Sequence, residues 1–559
     1  MSRTKSRRVF SILLALVILL SAFVSIAAKP GGTVNVQILA VNDFHGNLEP
    51  PAGSSGRIGT INAGGVEYLA THIKSLEATN PNTVVVSAGD MIGASPLISA
   101  LFHDEPTIEA FNLIGLDFNA VGNHEFDEGA AELKRMQAGG CHPVDGCLDG
   151  DPFDGAEFRY LAANVVWEKN GKTLFPAYKI RSFGGAKIAF IGMTLEGTPT
   201  IVTPSGVAGL DFLDEADTVN ALIPEIKAKG VETIVVLIHE GGFPTGGYNE
   251  CPGISGPIVD IVNRTDDEVD LFISGHTHQA YNCVIDGRPV TSASSFGRLV
   301  TDIDMTIDRT TGEPTSISAN NMIVTRDVAK DSLMTALIAK YNAIAAPLAN
   351  RVIGSITADI TRAANAAGES ALGDVIADGQ LAATDDPGFG EAVVAFMNSG
   401  GIRADLTFAS SSAGEGDGNV TYGEMFTVQP FGNSMVTMTL TGAQIETLLE
   451  QQFNGCGTQN ANRILQVSAG FAYSWSMSAP ACAKVDPATI MLNGVVVDPN
   501  ASYRVTVNSF LADGGDNFLV LREGTDRLGG EVDTDAFEAY FATNSPVAPG
   551  PQNRIAQVP

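Results

Sequence analysis

The stretch VNVQILAVNDFHG, residues 34–46, begins as an apolar run of β-forming residues and ends as a polar turn. The run over 34–41 predicts a buried strand. Asp43 and His45 follow it two positions apart, so in an extended chain both side chains point to one side. Two residues of metal-binding type directly after a buried strand predict a chemical site at the end of a sheet.

The same arrangement recurs through the first half of the chain. Further buried strands are predicted at 83–87, 187–192, 233–238 and 271–274. Amphipathic segments at 65–79 and 215–229 predict helices between them, and this alternation indicates a layered α/β domain. The polar motifs that end these runs are SAGD at 87–90, GNHEFD at 122–127, His239 and GHTH at 275–278.

Together these motifs supply a set of nitrogen and oxygen donors. Five of the eight histidines lie in them, beside two aspartates and one asparagine. Such donors suit Zn²⁺, Mn²⁺, Co²⁺ or Fe rather than calcium or a thiolate site. Each motif alone is weak evidence for a metal site, because an isolated DxH sequence is usually a turn and an isolated HxH sequence is usually an exposed pair of histidines. The ordered set has more ligands than one tetrahedral metal needs, which predicts two metals that share a bridging carboxylate.

These motifs resemble those of the calcineurin-like metallophosphoesterases, and the whole chain resembles the bacterial periplasmic 5'-nucleotidase / UDP-sugar hydrolase family. The resemblance implies an α/β protein with a four-layer α/β/β/α metallophosphoesterase domain at 33–328. A connecting helix and hinge at 329–352 would lead to a smaller α/β nucleotide-recognition domain at 353–559. It also implies that this second domain rotates to bring the substrate onto the metals.

The resemblance further implies a role for each donor. One metal would be held by Asp43, His45 and His278, the other by Asn123, His239 and His276, with Asp90 bridging both. His124 would not be a ligand but would lie over the phosphate, oriented by Asp127. Two neighbouring cations acidify a shared water, and the resulting hydroxide would attack phosphorus in line with the leaving oxygen.

Three segments of the second half carry candidate substrate contacts: NSGGIR at 398–403, QPFGN at 429–433 and NSFLADGGD at 508–516. An arginine beside glycines can approach a phosphate closely. Phenylalanines in polar loops can stack on a base, worth ~1–3 kcal/mol per base. The resemblance implies base stacking by Phe431 and Phe510, base contact by Asn433, ribose contact by Asp516, and phosphate contact by Arg403 and Arg362. Around Arg362 the chain departs from the best-known members of the family.

Composition limits the classes of partner. The net charge is −30, from 63 acidic and 33 basic residues. Such a surface repels nucleic acid polymers and anionic membranes, so we expect nucleotide or UDP-sugar substrates and no polymer. The alternative explanation of the acidic surface is that it only keeps an exported protein soluble.

The N-terminus predicts export. Basic residues at positions 3–8 precede an apolar stretch at 9–28, the form of a signal peptide over 1–28; an uncleaved anchor is the alternative. We expect a secreted protein, periplasmic or extracellular, monomeric and without stable membrane association after cleavage. Six cysteines predict disulfides, and nearest-neighbour pairing gives 141–147, 251–283 and 456–482, although other pairings stay open.

These features favour an exported 5'-nucleotidase, possibly extending to UDP-sugars. A 2',3'-cyclic phosphodiesterase / 3'-nucleotidase shares the fold and metals and is the near alternative, and a sulfur-oxidising thiosulfohydrolase is a more distant one. A non-catalytic nucleotide-binding surface protein is the alternative from another class. That last hypothesis requires missing ligands, whereas here all seven ligand positions and His124 are filled.

Overall fold

The computed structural model describes residues 31–51, 53–202, 204–409 and 414–559. The predicted signal peptide at 1–28 therefore lies outside the described residues. Within the described ranges, no helix has both the length and the apolar character needed to cross a bilayer.

The first half of the chain contains two six-stranded sheets. Across the first sheet the strands run in the order Pro314–Ile323, Leu299–Asp308, Thr33–Val41, Thr83–Ser87, Phe118–Ala120 and Arg159–Leu161. Across the second they run Ala280–Ile285, Arg288–Ala293, Leu271–Ser274, Thr233–His239, Ala186–Thr194 and Tyr178–Phe183. All five strands predicted here from the sequence are present, whereas the other seven strands of these two sheets are not predicted, the hairpin over 299–323 among them.

Alternating side chains of each strand enter different cores, as the strand period of two requires. Ile38 and Ala40 pack between the sheets with Val235 and Leu237 of the second sheet. Leu39 faces the opposite way, into a core shared with helices. The helices on that outer side are Val66–Glu77, Leu97–Ala100, Glu105–Ile114, Gly129–Ala138 and Ser332–Ala349.

The second sheet is covered on its own outer side by two helices, Glu215–Ala228 and Pro257–Arg264. The order of layers is therefore helix, sheet, sheet, helix, and the expected α/β/β/α architecture is confirmed. Two short antiparallel strand pairs also lie in this half: Arg57–Ile58 with Ile61–Asn62, and Val165–Trp167 with Leu210–Phe212.

The helix Ser332–Ala349 matches the helical periodicity of 331–351, but it is more than a connector. Asp331 caps it by accepting hydrogen bonds from the backbone N–H groups of Leu333 and Met334. Its buried residues, Tyr341 among them, belong to the core of the first half. The helix is thus packed as part of the first domain, and the chain crosses to the second domain after it.

The second domain is built on a five-stranded sheet. Its strands lie in the order Leu465–Val467, Val394–Asn398, Ser502–Asn508, Ser434–Thr441 and Thr525–Val532. A four-stranded sheet lies beside it, in the order Val495–Val496, Met491–Leu492, Phe471–Ser476 and Ile555–Val558, and Val352–Ser355 pairs with Asn419–Thr421. The helices are Ala371–Ala382, Tyr422–Val428, Gly442–Glu450, Ser509–Ala512 and Asp533–Asn544.

All six cysteines are paired, which confirms the nearest-neighbour prediction. The disulfides are Cys141–Cys147, Cys251–Cys283 and Cys456–Cys482.

Candidate active site

The predicted donor residues meet at one edge of the first domain. Strand Thr33–Val41 runs parallel to Thr83–Ser87, which runs parallel to Phe118–Ala120, so their carboxyl ends open at the same edge. In the second sheet Thr233–His239 and Leu271–Ser274 are likewise parallel. The loops that leave these five strand ends carry six of the seven predicted metal ligands, and His239 is the last residue of its strand, which explains how residues 43 to 278 come together.

Two groups of donors form where these loops meet. In each group, one ligand atom from every residue lies within 4.8 Å of the others. The groups are Asp43, His45 and His278, and Asp90, His239 and His276. Asn123 joins the second group, because its Oδ1 lies 3.2 Å from the Nε2 of His239.

Asp90 lies between the two groups. Its Oδ2 is 2.9 Å from the Nε2 of His239 and 3.8 Å from the Nε2 of His45. In the first group, the Nε2 of His278 lies 3.4 Å from the Oδ1 of Asp43 and 3.1 Å from the Nε2 of His45. The arrangement matches two donor sets with one carboxylate reaching both.

Backbone carbonyls fix the orientation of two of these histidines. The Nδ1 of His45 lies 2.8 Å from the carbonyl of Gly93, and the Nδ1 of His239 lies 2.7 Å from that of Ala88. When Nδ1 donates to a carbonyl, Nε2 carries the free electron pair, and here Nε2 faces the cluster. Metal-binding histidines are commonly held in this way.

Near the site, the backbone of these loops adopts a conformation that is rare for residues other than glycine. Asp43, His45, Asp90, His276 and His278 all have positive φ, between 48° and 68°. Non-glycine residues in this region carry strain that the surrounding structure must hold, and such residues cluster at functional sites. Of the 17 positive-φ residues other than glycine among the described residues, these five belong to one small cluster.

Glu125 holds the Asp90 turn in place, a role that the sequence motifs do not reveal. Its carboxylate accepts hydrogen bonds from the backbone N–H groups of Asp90, Met91 and Gly122, at 2.9, 2.9 and 2.6 Å. A Cβ on Gly122 would lie 2.2 Å from the Oδ1 of Asp90, so only glycine fits there. The motif GNHEFD contains both residues, but their function depends on a loop about 30 positions earlier in the chain.

The donor set has the chemistry that a cation requires. Burial raises the pKa of Asp43 to about 7, and burial lowers the pKa of His276 to about 3 and that of His278 well below its usual value. These imidazoles therefore keep their electron pairs free. Burial opposes the charge on Asp90, but the adjacent histidines, His239 foremost, hold its pKa well below its ordinary value.

His239 is the exception among the histidines. Burial disfavours its protonated form, but the Asp90 carboxylate outweighs burial and raises the pKa of His239 to about 10. A cation held between His239 and Asp90 would take the place of that proton, because metal binding releases protons from its ligands. The residues present thus fit divalent metal ions.

His124 lies beside the donors and faces the second domain. Its Nδ1 lies 2.9 Å from the Oδ2 of Asp127, and its backbone N–H donates to the Oδ1 of Asp90 at 2.8 Å. Burial lowers the pKa of His124, but Asp127 and Asp90 outweigh burial and raise it above the usual value. The ring stacks against that of Phe431, with 5.8 Å between centroids and 22° between planes.

A cavity of about 490 Å³ extends from this cluster into the second domain. It is lined by residues of both domains, and the first-domain wall includes Asn123, His124, Asp127 and His276. Five of the six predicted substrate contacts line it: Arg403, Phe431, Asn433, Phe510 and Asp516. Arg362 is not among the described residues that line the cavity; its Nη1 donates to the carbonyl of Ile402 at 3.2 Å.

Two polar lining residues that contact Asp516, Asn398 and Arg463, were not predicted to take part. Asp516 accepts a hydrogen bond from the Nδ2 of Asn398 at 3.1 Å, and the Nε of Arg463 lies 3.2 Å from its other oxygen. Asn398 belongs to the quoted NSGGIR segment, so its position is a usable signal. Arg463 stands outside every motif, and only the folded chain reveals it.

At Gly515, a Cβ would lie 2.5 Å from the ring of Phe510, so the absence of a side chain at this glycine leaves room for the ring on the cavity wall.

Two family models match the chain: calcineurin-like phosphoesterase over residues 36–280, and 5'-nucleotidase, C-terminal domain, over residues 352–523. The endonuclease YhcR of Bacillus subtilis is 33% identical over 86% of this chain, but the aligned region spans only 37% of that protein's length. The cell wall protein Lmo0130 of Listeria monocytogenes is 31% identical, covering 92% of this chain and 68% of its own.

Among solved structures, a 5'-nucleotidase precursor from Thermus thermophilus is similar over nearly its whole length. It is 27% identical, with a TM-score of 0.76 over 94% of this chain and 99% of that one.

Proposed function

The chain belongs to the family that joins a calcineurin-like phosphoesterase domain to a 5'-nucleotidase C-terminal domain, and from that premise we propose that it is an exported 5'-nucleotidase that also acts on UDP-sugars. Phosphoesterase chemistry follows from the family. The nucleotide substrate and the 5' position of the phosphate are the proposed part.

One observation supports this most strongly: a single cavity joins the donor cluster of the first domain to Arg403, Phe431 and Phe510 of the second. The groups that we propose bind the phosphate and the base thus line one space, which a nucleotide could fill. His124 and Phe431 mark where the two halves meet, with 5.8 Å between their ring centroids.

We propose that the seven donors hold two divalent cations, of Zn, Mn, Co or Fe. One would be held by Asp43, His45 and His278, the other by Asn123, His239 and His276, and Asp90 would bridge them. When bound, two such cations polarise phosphate oxygens and make water nucleophilic at neutral pH. Glu125 would keep Asp90 positioned by its three backbone contacts.

Two cationic side chains would act on the phosphate. Asp127 holds the Nδ1 of His124, which leaves Nε2 to donate a proton or hydrogen bond to the phosphate or the leaving oxygen. Arg403 lines the cavity 5.9 Å from the Phe431 ring and would bind phosphate oxygens through its planar guanidinium.

The remaining contacts would select the nucleoside. Phe431 and Phe510 are half-buried on the cavity wall and would stack on the base. Asn433 would bind the base edge, held by a 3.2 Å hydrogen bond from the Oγ of Ser509. Asp516 would accept the ribose hydroxyls. Arg362 would act less directly, because its guanidinium binds the Ile402 carbonyl next to Arg403.

The domain limits are part of this proposal. We place the phosphoesterase domain at 33–328, the linking helix and hinge at 329–352 and the substrate-binding domain at 353–559. Because the helix Ser332–Ala349 packs in the core of the first domain, a rotation would turn about the few residues that follow it.

We also propose that the protein is exported, periplasmic or extracellular, and acts as a monomer. The three disulfides support export, since such bonds persist in oxidising compartments.

The test is a substrate panel on the purified protein. AMP, UDP-glucose, 2',3'-cyclic AMP and single-stranded DNA would each be incubated with Mn²⁺ or Zn²⁺, with and without a chelator. We expect phosphate release from AMP that the chelator abolishes and the metal restores. If AMP is untouched while cyclic AMP or DNA is cleaved, the 5'-nucleotidase proposal is wrong and the phosphoesterase assignment stands.

A further inference from the structure

A second group of donor residues lies apart from the candidate metal centre. One ligand atom from each of His103, His142 and Asp145 lies within 4.8 Å of the others. His103 precedes the helix Glu105–Ile114, while His142 and Asp145 lie in the loop closed by the Cys141–Cys147 disulfide. Three histidines lie outside the first site, and the fold brings two of them, His103 and His142, together from segments about 40 positions apart.

Each ring nitrogen of His103 lies close to a carboxylate. Its Nδ1 is 2.7 Å from the Oε2 of Glu128, and its Nε2 is 3.1 Å from the Oδ2 of Asp145. If the Nδ1–H donates to Glu128, the neutral ring directs the electron pair of Nε2 at Asp145. Two electron-rich atoms then face each other at hydrogen-bond distance without a proton between them.

His142 adds a third electron pair at the same point. Its Nδ1 lies 3.0 Å from the same Oδ2 of Asp145, and it accepts the backbone N–H of Asp145 at 3.1 Å. A nitrogen that accepts an N–H carries no proton, so it cannot donate to the carboxylate. The His103 and His142 rings are stacked, with centroids 3.9 Å apart and planes at 20°, so both present their edges to Asp145.

The His103 arrangement repeats that of the histidines in the first site. There, His45 and His239 contact an oxygen through Nδ1 and present Nε2 to a carboxylate of the cluster. His103 does the same, with the Glu128 carboxylate in place of the backbone carbonyl. A carboxylate that holds the far nitrogen of a histidine is a common support for a metal ligand.

We propose that His103, His142 and Asp145 form a third divalent-cation site, with Glu128 orienting His103. Two imidazoles and one carboxylate suit a borderline transition cation such as Zn²⁺, Co²⁺ or Ni²⁺, rather than Ca²⁺ or Mg²⁺. Glu132 also lies near, but both of its oxygens bind the guanidinium of Arg135 at 2.6–2.9 Å. It is therefore not assigned as a ligand.

The position of this site gives it a structural task. His103 and Glu128 line the substrate cavity, and Glu128 follows Asp127, which holds His124. A cation here would fasten the disulfide-closed loop 141–147 to that wall of the cavity. It goes beyond the proposed phosphate removal, because none of its three ligands belongs to the two-cation centre.

The competing arrangement has no cation. In it, His103 is doubly protonated between two carboxylates, and the Glu128 hydrogen bond, against the effect of burial, raises the pKa of His103. The second proton of His103 then lies between its Nε2 and Asp145, and no third metal is needed. The number of bound metal ions therefore distinguishes this arrangement from the proposed cation site.

The test is metal stoichiometry on the full-length protein. Wild type and variants would be equilibrated with Zn²⁺ and separated from unbound ions by gel filtration. The zinc content per chain would then be measured by inductively coupled plasma mass spectrometry. We expect His103→Gln and His142→Gln each to bind one Zn²⁺ per chain fewer than wild type. The matched control is His72→Gln: the Nε2 of His72 lies 3.2 Å from the carbonyl of Thr325, and this variant should bind as many ions as wild type.

Equal zinc content in wild type and in the two folded variants would overturn the proposal. Folding is checked by circular dichroism, and Asp145→Asn on the exposed loop serves where a histidine variant does not fold. Independently, anomalous scattering at the zinc edge from wild-type crystals should show a peak about 2.0–2.1 Å from a nitrogen of His103. An absent peak would overturn it as well. Neither readout requires turnover, so failure of AMP hydrolysis would leave this test unaffected.

Discussion

The cavity has two ends, the phosphate end at the donor cluster and the base end at Phe431 and Phe510, named for the parts of a nucleotide that we propose they bind, and they are built in different ways. At the phosphate end, the donors lie at or just after strand ends; five of the seven are almost fully buried, and His276 and His278 are partly exposed. Backbone groups hold several of them: the Gly93 and Ala88 carbonyls contact two histidines, and the His276 N–H donates to Asp43. At the base end, Phe431 is half-buried in a loop and Phe510 is half-buried in the short helix Ser509–Ala512. Asn433 is held by side-chain contacts to Ser509 and Asp533.

This difference predicts how each end responds to amino-acid substitution. A buried charged cluster held by the backbone loses its function when one member is removed, because the remaining groups cannot move to compensate. A stacking surface made of two separate rings loses only part of its binding energy when one ring is removed. Substitutions at the phosphate end should therefore affect turnover, and those at the base end should affect substrate affinity.

The strongest test of this contrast is Asp90→Ala. Because Asp90 lies between both donor groups, its loss should remove both cations and reduce phosphate release from AMP below detection. Metal content and kcat would be measured together. The control is Asp211→Ala, an exposed carboxylate on strand Leu210–Phe212, which should match wild type. Retention of both metals by Asp90→Ala would contradict the bridging assignment.

A smaller effect is expected from His124→Ala. His124 is held by Asp127 and contacts Asp90 only through its backbone N–H, so the metals should remain. Loss of a general acid or hydrogen-bond donor should lower kcat by roughly 10²–10⁴-fold. Steady-state kinetics with AMP, alongside metal analysis, would check this. An unchanged kcat would refute the role of this histidine.

The sequence predicts the phosphate end better than the base end. Every donor directly follows a buried strand, and parallel strands open at one edge, so the sequence alone places residues such as Asp43 and His276 at one site. Arg463 could not be placed in this way, because it stands in no motif and reaches Asp516 only through the fold of the second domain. Glu125 stands in a motif, yet its purpose lies in backbone contacts to the Asp90 turn.

The overall architecture is likewise largely predictable, with one instructive difference. Strand and helix periodicity indicates the layers of the first domain. The pattern of the helix Ser332–Ala349 predicts a connector, but a pattern of apolar residues does not state which core it fills. The buried face of this helix lies with the first domain, so the boundary between the two domains comes later in the chain.

At the base end, Phe431→Ala should raise KM for AMP by roughly 5- to 150-fold, the equivalent of ~1–3 kcal/mol of stacking. KM for p-nitrophenyl phosphate, which lacks a base, should change far less. Phe389→Ala is the matched control, since Phe389 is an exposed phenylalanine of the same domain outside the cavity. Equal changes for both substrates would show that Phe431 shapes the cavity instead of stacking on the base.

The smallest effect is expected at Arg362, and it sharpens the boundary between the two ends. Arg403 lines the cavity, so Arg403→Ala should lower kcat/KM for AMP by roughly 10- to 100-fold, the scale of a charge-assisted hydrogen-bond pair. Arg362 binds the Ile402 carbonyl at 3.2 Å and does not reach that wall, so Arg362→Ala should cost only a few-fold, through a displaced Arg403. The double variant should then lose little beyond Arg403→Ala alone, because Arg362 acts through the residue already removed. Multiplicative losses in kcat/KM would instead mean that Arg362 binds phosphate in its own right, as the family resemblance implies.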